Sequence, residues 1–425
     1  MSVDPPEVRR LADWDRGTLD ALADEHDTPL YVFDPEQVRE NCRRLRAAFP
    51  DAEIQYAAKA HTARETLRTV HDEGLAIECA SAGEVRRALR AGIPGSDVTY
   101  TAVNPPARDL DSVVEAWRDE PDLTITAGAT DTVDRLADRG FDGRLRLRVN
   151  PGVGAGHHEK VVTGGHPKFG VGLDRAPDLA AQIDREFAFA GIHAHAGSGI
   201  SGDDLANHRE LVRRLGELAR DLEAAGIAVE TVDVGGGFGV PYREDAPALD
   251  LDAVANATRE ALGSIDGRLA IEPGRYVVAD AGVLLTRVNT VKNAPSTVVA
   301  GVDAGMTTLL RPAMYDAYHT VRNLGAEDEP TARERVGVTV AGPVCETADL
   351  LCESRPLPRP ERGDLLAVGN AGAYGYEMAS TYNSRPRPAE VTVGGDVLRR
   401  RETLADVSRL DAARDANRRN DEGEP

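Results

Sequence analysis

Lysine is almost missing from this chain: among 425 residues there are 4 (Lys59, Lys160, Lys168 and Lys292), against 46 arginines. Four scattered cysteines, Cys42, Cys79, Cys345 and Cys352, with no CxxC spacing, argue against a disulfide framework and against a cysteine-ligated zinc. No apolar run approaches the roughly 20 residues of a membrane span, and the start lacks the basic-then-apolar pattern of a secretory leader. The expectation is a soluble, cytoplasmic protein with no membrane partner. Positive charge is also short: 50 basic against 71 acidic residues leave a formal charge of −21. Gripping a nucleic-acid backbone needs clustered cations, so the charge disfavours it and no nucleic-acid partner is expected. Asp (40) outnumbers Glu (31), and the acidic, lysine-poor surface this implies resembles that of salt-adapted, halophilic proteins. Such charge bears on solubility and milieu, not on fold.

With 41% apolar residues over this length, the chain can bury a large core and build two to four domains or one barrel with an addition. Eight apolar runs rich in branched residues recur along the first two thirds: 54–58, 76–79, 98–101, 123–126, 145–149, 189–193, 231–234 and 269–271. Helix-period stretches such as 63–73, 84–91, 131–139, 203–225 and 252–263 separate them. This alternation predicts a (β/α)8 TIM-like barrel over residues 30–282. Strand-like runs without long helices follow at 283–291, 297–302, 336–341, 365–368 and 389–393. They predict a second, mostly antiparallel β domain formed by 1–29 and 283–410, with a polar tail over 411–425.

A barrel of this type carries its chemistry at the carboxyl ends of its strands. There the sequence sets Lys59, a lone amine in a lysine-poor chain, as a surface residue or a Schiff-base nucleophile. It sets His193 and His195 on alternate positions of the sixth run, either satisfied inside the barrel or with one flat against an aromatic cofactor. Gly235-Gly236-Gly237 can bring three or four backbone N–H groups to an anion, and Glu272-Pro273-Gly274-Arg275 adds an acid and a cation. Lysine, phosphate cradle, histidine and acid together are what pyridoxal 5'-phosphate requires, the acid keeping the ring nitrogen protonated. The glycine-rich 152–168 segment, with His157 and His158, is a poor metal site because such loops seldom fix ligand geometry; no metal is expected.

These residues sit in motifs that run nearly end to end: YAAKA around Lys59, HAHAGS at His193–Ser198, GGG at Gly235–Gly237, EPGR at Glu272–Arg275, RPAMY at Arg311–Tyr315, GPVCE at Gly342–Glu346 and GAY at Gly372–Tyr374. In this combination the chain resembles the diaminopimelate decarboxylase family, which shares the alanine-racemase-type pyridoxal-phosphate fold with ornithine and arginine decarboxylases. His61 stands where that family usually has an asparagine, and Glu78–Ser81 and Asn104–Pro106 look closer to the ornithine type. The resemblance implies that Lys59 bonds the cofactor, that His195 stacks on its ring, and that Glu272 faces the ring nitrogen. It implies that Ser198, Gly235, Gly236, Gly237, Pro273, Gly274, Arg275 and Tyr374 surround the cofactor and its phosphate. Arg275, Arg311, Tyr315, Glu346 and Tyr374 would line the substrate site, with Cys345 as proton donor, in a homodimer with shared active sites.

Substrate chemistry points the same way. Diaminopimelate carries a carboxylate and an ammonium at its far end, so its site needs a cation such as Arg311 and an anion such as Glu346. The implied activity is decarboxylation of meso-2,6-diaminopimelate at its D-centre to L-lysine and carbon dioxide, the last step of lysine biosynthesis. The alternatives are a decarboxylase of the same fold acting on ornithine, arginine or a D-amino acid, and a non-catalytic cofactor-binding regulator.

Overall fold

The computed structural model describes residues 8–153, 166–195, 197, 200, 205–327 and 333–411. Two compact units divide the chain, one built on Pro35–Ala281 and one on Arg10–Asp34 with the described residues from Gly282 onward.

After β1 (Leu30–Phe33), which belongs to the second unit, the first unit contains β2 (Glu53–Ala57), β3 (Ala76–Cys79), β4 (Val98–Thr101), β5 (Thr124–Ala127), β6 (Arg144–Asn150), the two-residue β7 (Val171–Gly172), β8 (Ala188–His193), β9 (Thr231–Asp233) and β10 (Arg268–Ile271). Eight of them pair in parallel in the order β2-β3-β4-β5-β6-β8-β9-β10, and β10 returns to β2, which closes the barrel expected from the sequence. Helices fill the intervals where the apolar period is helical. The helix Ala82–Ala91 shows why its ends fall where they do: the Ser81 hydroxyl accepts from the Glu84 N–H, and Gly92 stops the helix at φ +92°.

Registered neighbours in a sheet share a face. Tyr56 pairs with Ile77, Tyr100 with Ile125, and Ile192 with Leu147 and Val232, all buried. The opposite face aligns Glu78 with Thr99, Thr126 with Arg146, Arg148 with His193, and His193 with Asp233. The apolar face packs under the helices, and the charged face fills the inside of the barrel. An alternation that reads as an ordinary half-polar strand thus hides a buried column of ionisable groups.

In the second unit β11 (Gly282–Asn293), β12 (Val298–Val302), β13 (Val321–Asn323), β14 (Arg335–Ala341), β15 (Leu350–Pro358), β16 (Leu365–Val368), β17 (Ala389–Thr392) and β18 (Val397–Arg399) join β1 in one sheet. Most pairs are antiparallel; β1–β17 and β12–β14 are parallel. Alternate residues feed two cores, Tyr31 and Leu284 on one face and Leu30, Val32, Val283 and Leu285 on the other. The boundary expected at residue 30 shifts accordingly: Leu30–Phe33 pairs with Gly282–Leu285, so residues 10–34 stay with the β unit. Strands β13, β15 and β18 went unread because prolines or arginines interrupt their apolar runs.

Candidate active site

Lys59 sits in a single 3-10 turn, Ala58–Ala60, that ends β2. Its Nζ donates to Glu78 Oε2 on neighbouring β3 at 2.5 Å, and that carboxylate is 1% exposed. Burial raises Glu78 above the usual carboxylate range, and Lys59 opposes the shift. Three strands away on either side, the Arg146 Nη1 on β6 donates to Asp233 Oδ2 on β9 at 2.7 Å with both side chains buried. Burial and the nearby Glu272 push Asp233 up to about 7. Glu272, just past β10, lies beside it: donor atoms of His193, Asp233 and Glu272 fall within 4.8 Å of one another. That set has a cation-binding composition, yet Asp233 is paired with Arg146 and His193 is bonded to Glu272 at 3.1 Å.

The two histidines of strand six have separate surroundings. The strand ends at His193, which is buried at its mouth; His195 lies in the following loop. The His195 Nδ1 accepts from the Gly236 N–H at 3.1 Å, and desolvation together with Lys59 lowers its pKa well below the ordinary histidine value.

The glycine turn is shaped by close backbone approach. Gly235 and Gly237 take φ of +73° and +109°, and a Cβ on Gly236 would fall 2.1 Å from the Glu272 carbonyl oxygen. Phe238 anchors the turn edge-to-face on Phe49; the Ile200 N–H donates to the Gly237 carbonyl, and the Ile200 carbonyl accepts from the Gly239 N–H. The expected cradle of three or four amides is narrower than the sequence suggested: the Gly235 N–H donates to Asp233 and the Gly236 N–H to His195. Arg275 opens a short helix after Pro273-Gly274, and its Nη1 donates to the Tyr242 hydroxyl at 2.6 Å. Ser198 and residues 154–165, with His157 and His158, lie outside the described residues, as do 412–425 of the expected tail.

The remaining expected residues belong to the second unit. Arg311 begins the turn Arg311–Tyr315 and is buried. Cys345 is exposed and takes a hydrogen bond from Asn383; the Tyr382 hydroxyl donates to Glu346 Oε1 at 2.5 Å. Asp349 ties these segments together, its carboxylate accepting from the backbone N–H of Met306 at 2.5 Å and of Val344 at 2.6 Å. Tyr374 holds φ +57°, a strained conformation for a non-glycine residue. Sequence reading did not single out Glu78, Arg146, Asp233, Tyr242 or Asp349 as site residues. The signal available was charge recurring every second residue inside apolar strands, as in Arg144-Leu145-Arg146-Leu147-Arg148.

The chemistry of the barrel mouth fits a phosphorylated aldehyde cofactor with a basic ring. An amine sits beside a buried acid, Glu272 Oε1 is buried with no hydrogen-bonding partner, and the glycine turn admits no side chain. Closed barrel and strand-end amine together define a cofactor-dependent barrel enzyme. The chain belongs to the pyridoxal-dependent decarboxylases, whose pyridoxal binding domain model matches residues 35–279. It is 44% identical over 415 residues to a diaminopimelate decarboxylase of Methanothermobacter thermautotrophicus, covering 91% of this chain and 92% of that one. A diaminopimelate decarboxylase of Streptomyces coelicolor is 36% identical, with 92% and 90% covered. The crystal structure of diaminopimelate decarboxylase from Helicobacter pylori complexed with L-lysine superposes with a TM-score of 0.85 at 31% identity, covering 93% of this chain and 99% of that one.

Proposed function

We propose that this chain decarboxylates meso-2,6-diaminopimelate at its D-centre, giving L-lysine and carbon dioxide, the last step of lysine biosynthesis. The observation that carries the reading is the amine of Lys59 on the carboxylate of Glu78, at the mouth of the barrel that also holds Glu272. When bound, pyridoxal phosphate supplies an electron sink for the bond broken at the substrate's α-carbon. Lys59 is the amine that would hold the cofactor. Glu272 keeps the ring nitrogen protonated, and His195, held by Gly236, flanks the ring. Gly237, Arg275 and Ser198 take the phosphate, beside Pro273, Gly274 and Tyr374, with Gly235 and Gly236 shaping the turn.

For the substrate, Arg311 takes the distal carboxylate and Glu346 the distal ammonium, with Arg275, Tyr315 and Tyr374 beside them. This grip would hold the substrate in one orientation for loss of its departing carboxylate. Cys345, or a water that it orients, returns the proton to the α-carbon. The assembly is a homodimer with shared active sites, working in the cytoplasm at high salt, for which the charge of −21 is suited. Among the described residues no helix is long and apolar enough to cross a membrane.

The test is turnover by the purified protein, in high salt with pyridoxal phosphate, on meso-diaminopimelate and on L-ornithine. L-lysine from the first and no product from the second is expected. Putrescine formed faster than lysine would overturn the substrate assignment.

A further inference from the structure

Three buried carboxylates line the inside of the barrel, and they are neutralised unequally. Glu78 has Lys59 at 2.5 Å and Asp233 has Arg146 at 2.7 Å. Glu272 has no such hydrogen-bonded cation: His193, whose Nε2 lies 3.1 Å from Oε2, bonds it, and the Asp233 carboxyl shares a side-chain hydrogen bond with it. The other oxygen, Oε1, is buried and has no hydrogen-bonding partner. His193 is equally enclosed, 1% exposed, and its Nδ1 has no partner either.

Burial drives His193 down to about 3, so the imidazole is neutral near neutral pH. A neutral imidazole carries one N–H. Burial raises Glu272 as well; when a cationic ring nitrogen holds that carboxylate ionised, the His193 N–H that it accepts sits on Nε2 and Nδ1 is bare.

We propose that His193 is a positioning residue for Glu272: its single N–H fixes Oε2 and turns Oε1 toward the ring nitrogen of bound pyridoxal phosphate, without adding a charge. This rests on the cofactor role given to Glu272 above. A cationic side chain at 193 would contend with the ring nitrogen for the carboxylate. A hydrocarbon there would leave Oε2 without the imidazole N–H in a dry site beside Asp233, where Glu272 takes up a proton and can no longer hold the ring nitrogen protonated. The ionisable groups facing the pair come from every side of the barrel: Asp233 on β9, Arg146 and Arg148 on β6, Glu78 on β3, Lys59 after β2 and His195 after β8. With Glu78 and Asp233 each bonded to a cation, the hydrogen-bonded cation for Glu272 is the ring nitrogen itself.

The experiment compares wild-type holoenzyme with His193→Leu, His193→Gln and His193→Asn. It reads kcat and KM together with the pH midpoint of the bound cofactor's visible absorbance, taken without substrate. Leucine is expected to lower kcat by roughly tenfold to a hundredfold, the range for removing a group that orients a reacting one, with KM within about threefold. The absorbance midpoint should move by about one pH unit. Glutamine, whose amide reaches Glu272, should restore both; asparagine, one carbon shorter, should not. If the leucine variant does not fold, glutamine against asparagine decides. Unchanged kcat and midpoint in the leucine variant, or identical behaviour of Gln and Asn, would overturn the assignment. A wild-type protein with no visible cofactor band would instead sink the function proposed above.

Discussion

The Lys59 ammonium lies 2.5 Å from the Glu78 carboxylate, a side chain from an adjacent strand that is almost wholly enclosed. A buried acid next to Lys59 fixes the direction of that amine. Lys59→Ala is therefore expected to remove both the visible band of bound cofactor and lysine production, measured by absorbance and product assay. Turnover by this variant without an added amine would contradict the role of Lys59.

Arg146 and Asp233 are buried together, and a buried pair broken on one side leaves a charge without compensation. At about pH 8, where Asp233 is ionised, Arg146→Met should cost on the order of 3–5 kcal/mol in chemical denaturation. A loss under about 1 kcal/mol would mean that water or another cation replaces the guanidinium.

The same acid gives the fold a pH signature. Asp233 is raised from 3.8 to about 7 by burial and by Glu272. The folded state holds its proton more tightly, so this contribution is fully present below the unfolded value and fades as pH climbs from about 4 to about 7. Relative to Asp233→Asn, wild-type stability should fall by on the order of 1 kcal/mol per pH unit across that window. A difference that is flat, or rises with pH, in denaturation at pH 4.5, 5.5 and 6.5 would show that Asp233 stays ionised.

In the second unit, Asp349 accepts two backbone N–H groups, from Met306 and Val344, and a Cβ on Gly305 or Gly342 would collide with its carboxylate. Asp349→Ala strands two amides, so roughly 2–4 kcal/mol of stability should be lost. The segments bearing Arg311 and Cys345-Glu346 should also loosen, and KM for meso-diaminopimelate should rise more than kcat falls. An unaltered KM in a folded variant would separate the clamp from substrate binding.

Gly236→Ala would put a methyl group 2.1 Å from the Glu272 carbonyl oxygen. Backbone must move, at a cost of about 1–3 kcal/mol, and cofactor affinity should drop at least about tenfold. Titrating the variant apoenzyme with pyridoxal phosphate by fluorescence checks this; affinity equal to wild type would show that the turn does not touch the cofactor.

The strand and helix succession, the closed barrel, and the identities of Lys59, Glu272 and the glycine turn were legible in the chain itself. Hydrophobic period and glycine placement are local properties, and eight βα units in succession leave few ways to close a parallel sheet. The amino acids alone fixed which chemistry was available and on which strand ends it falls. Folding decided the partnerships. That Glu78 meets Lys59, that Arg146 neutralises Asp233, that His193 serves Glu272 while His195 takes Gly236, and that β1 leaves the barrel for the β unit all depend on sheet register between segments distant along the chain. Such pairings cannot be read from spacing, because the pKa and hydrogen bonding of a buried group are set by whatever the closed barrel brings opposite to it.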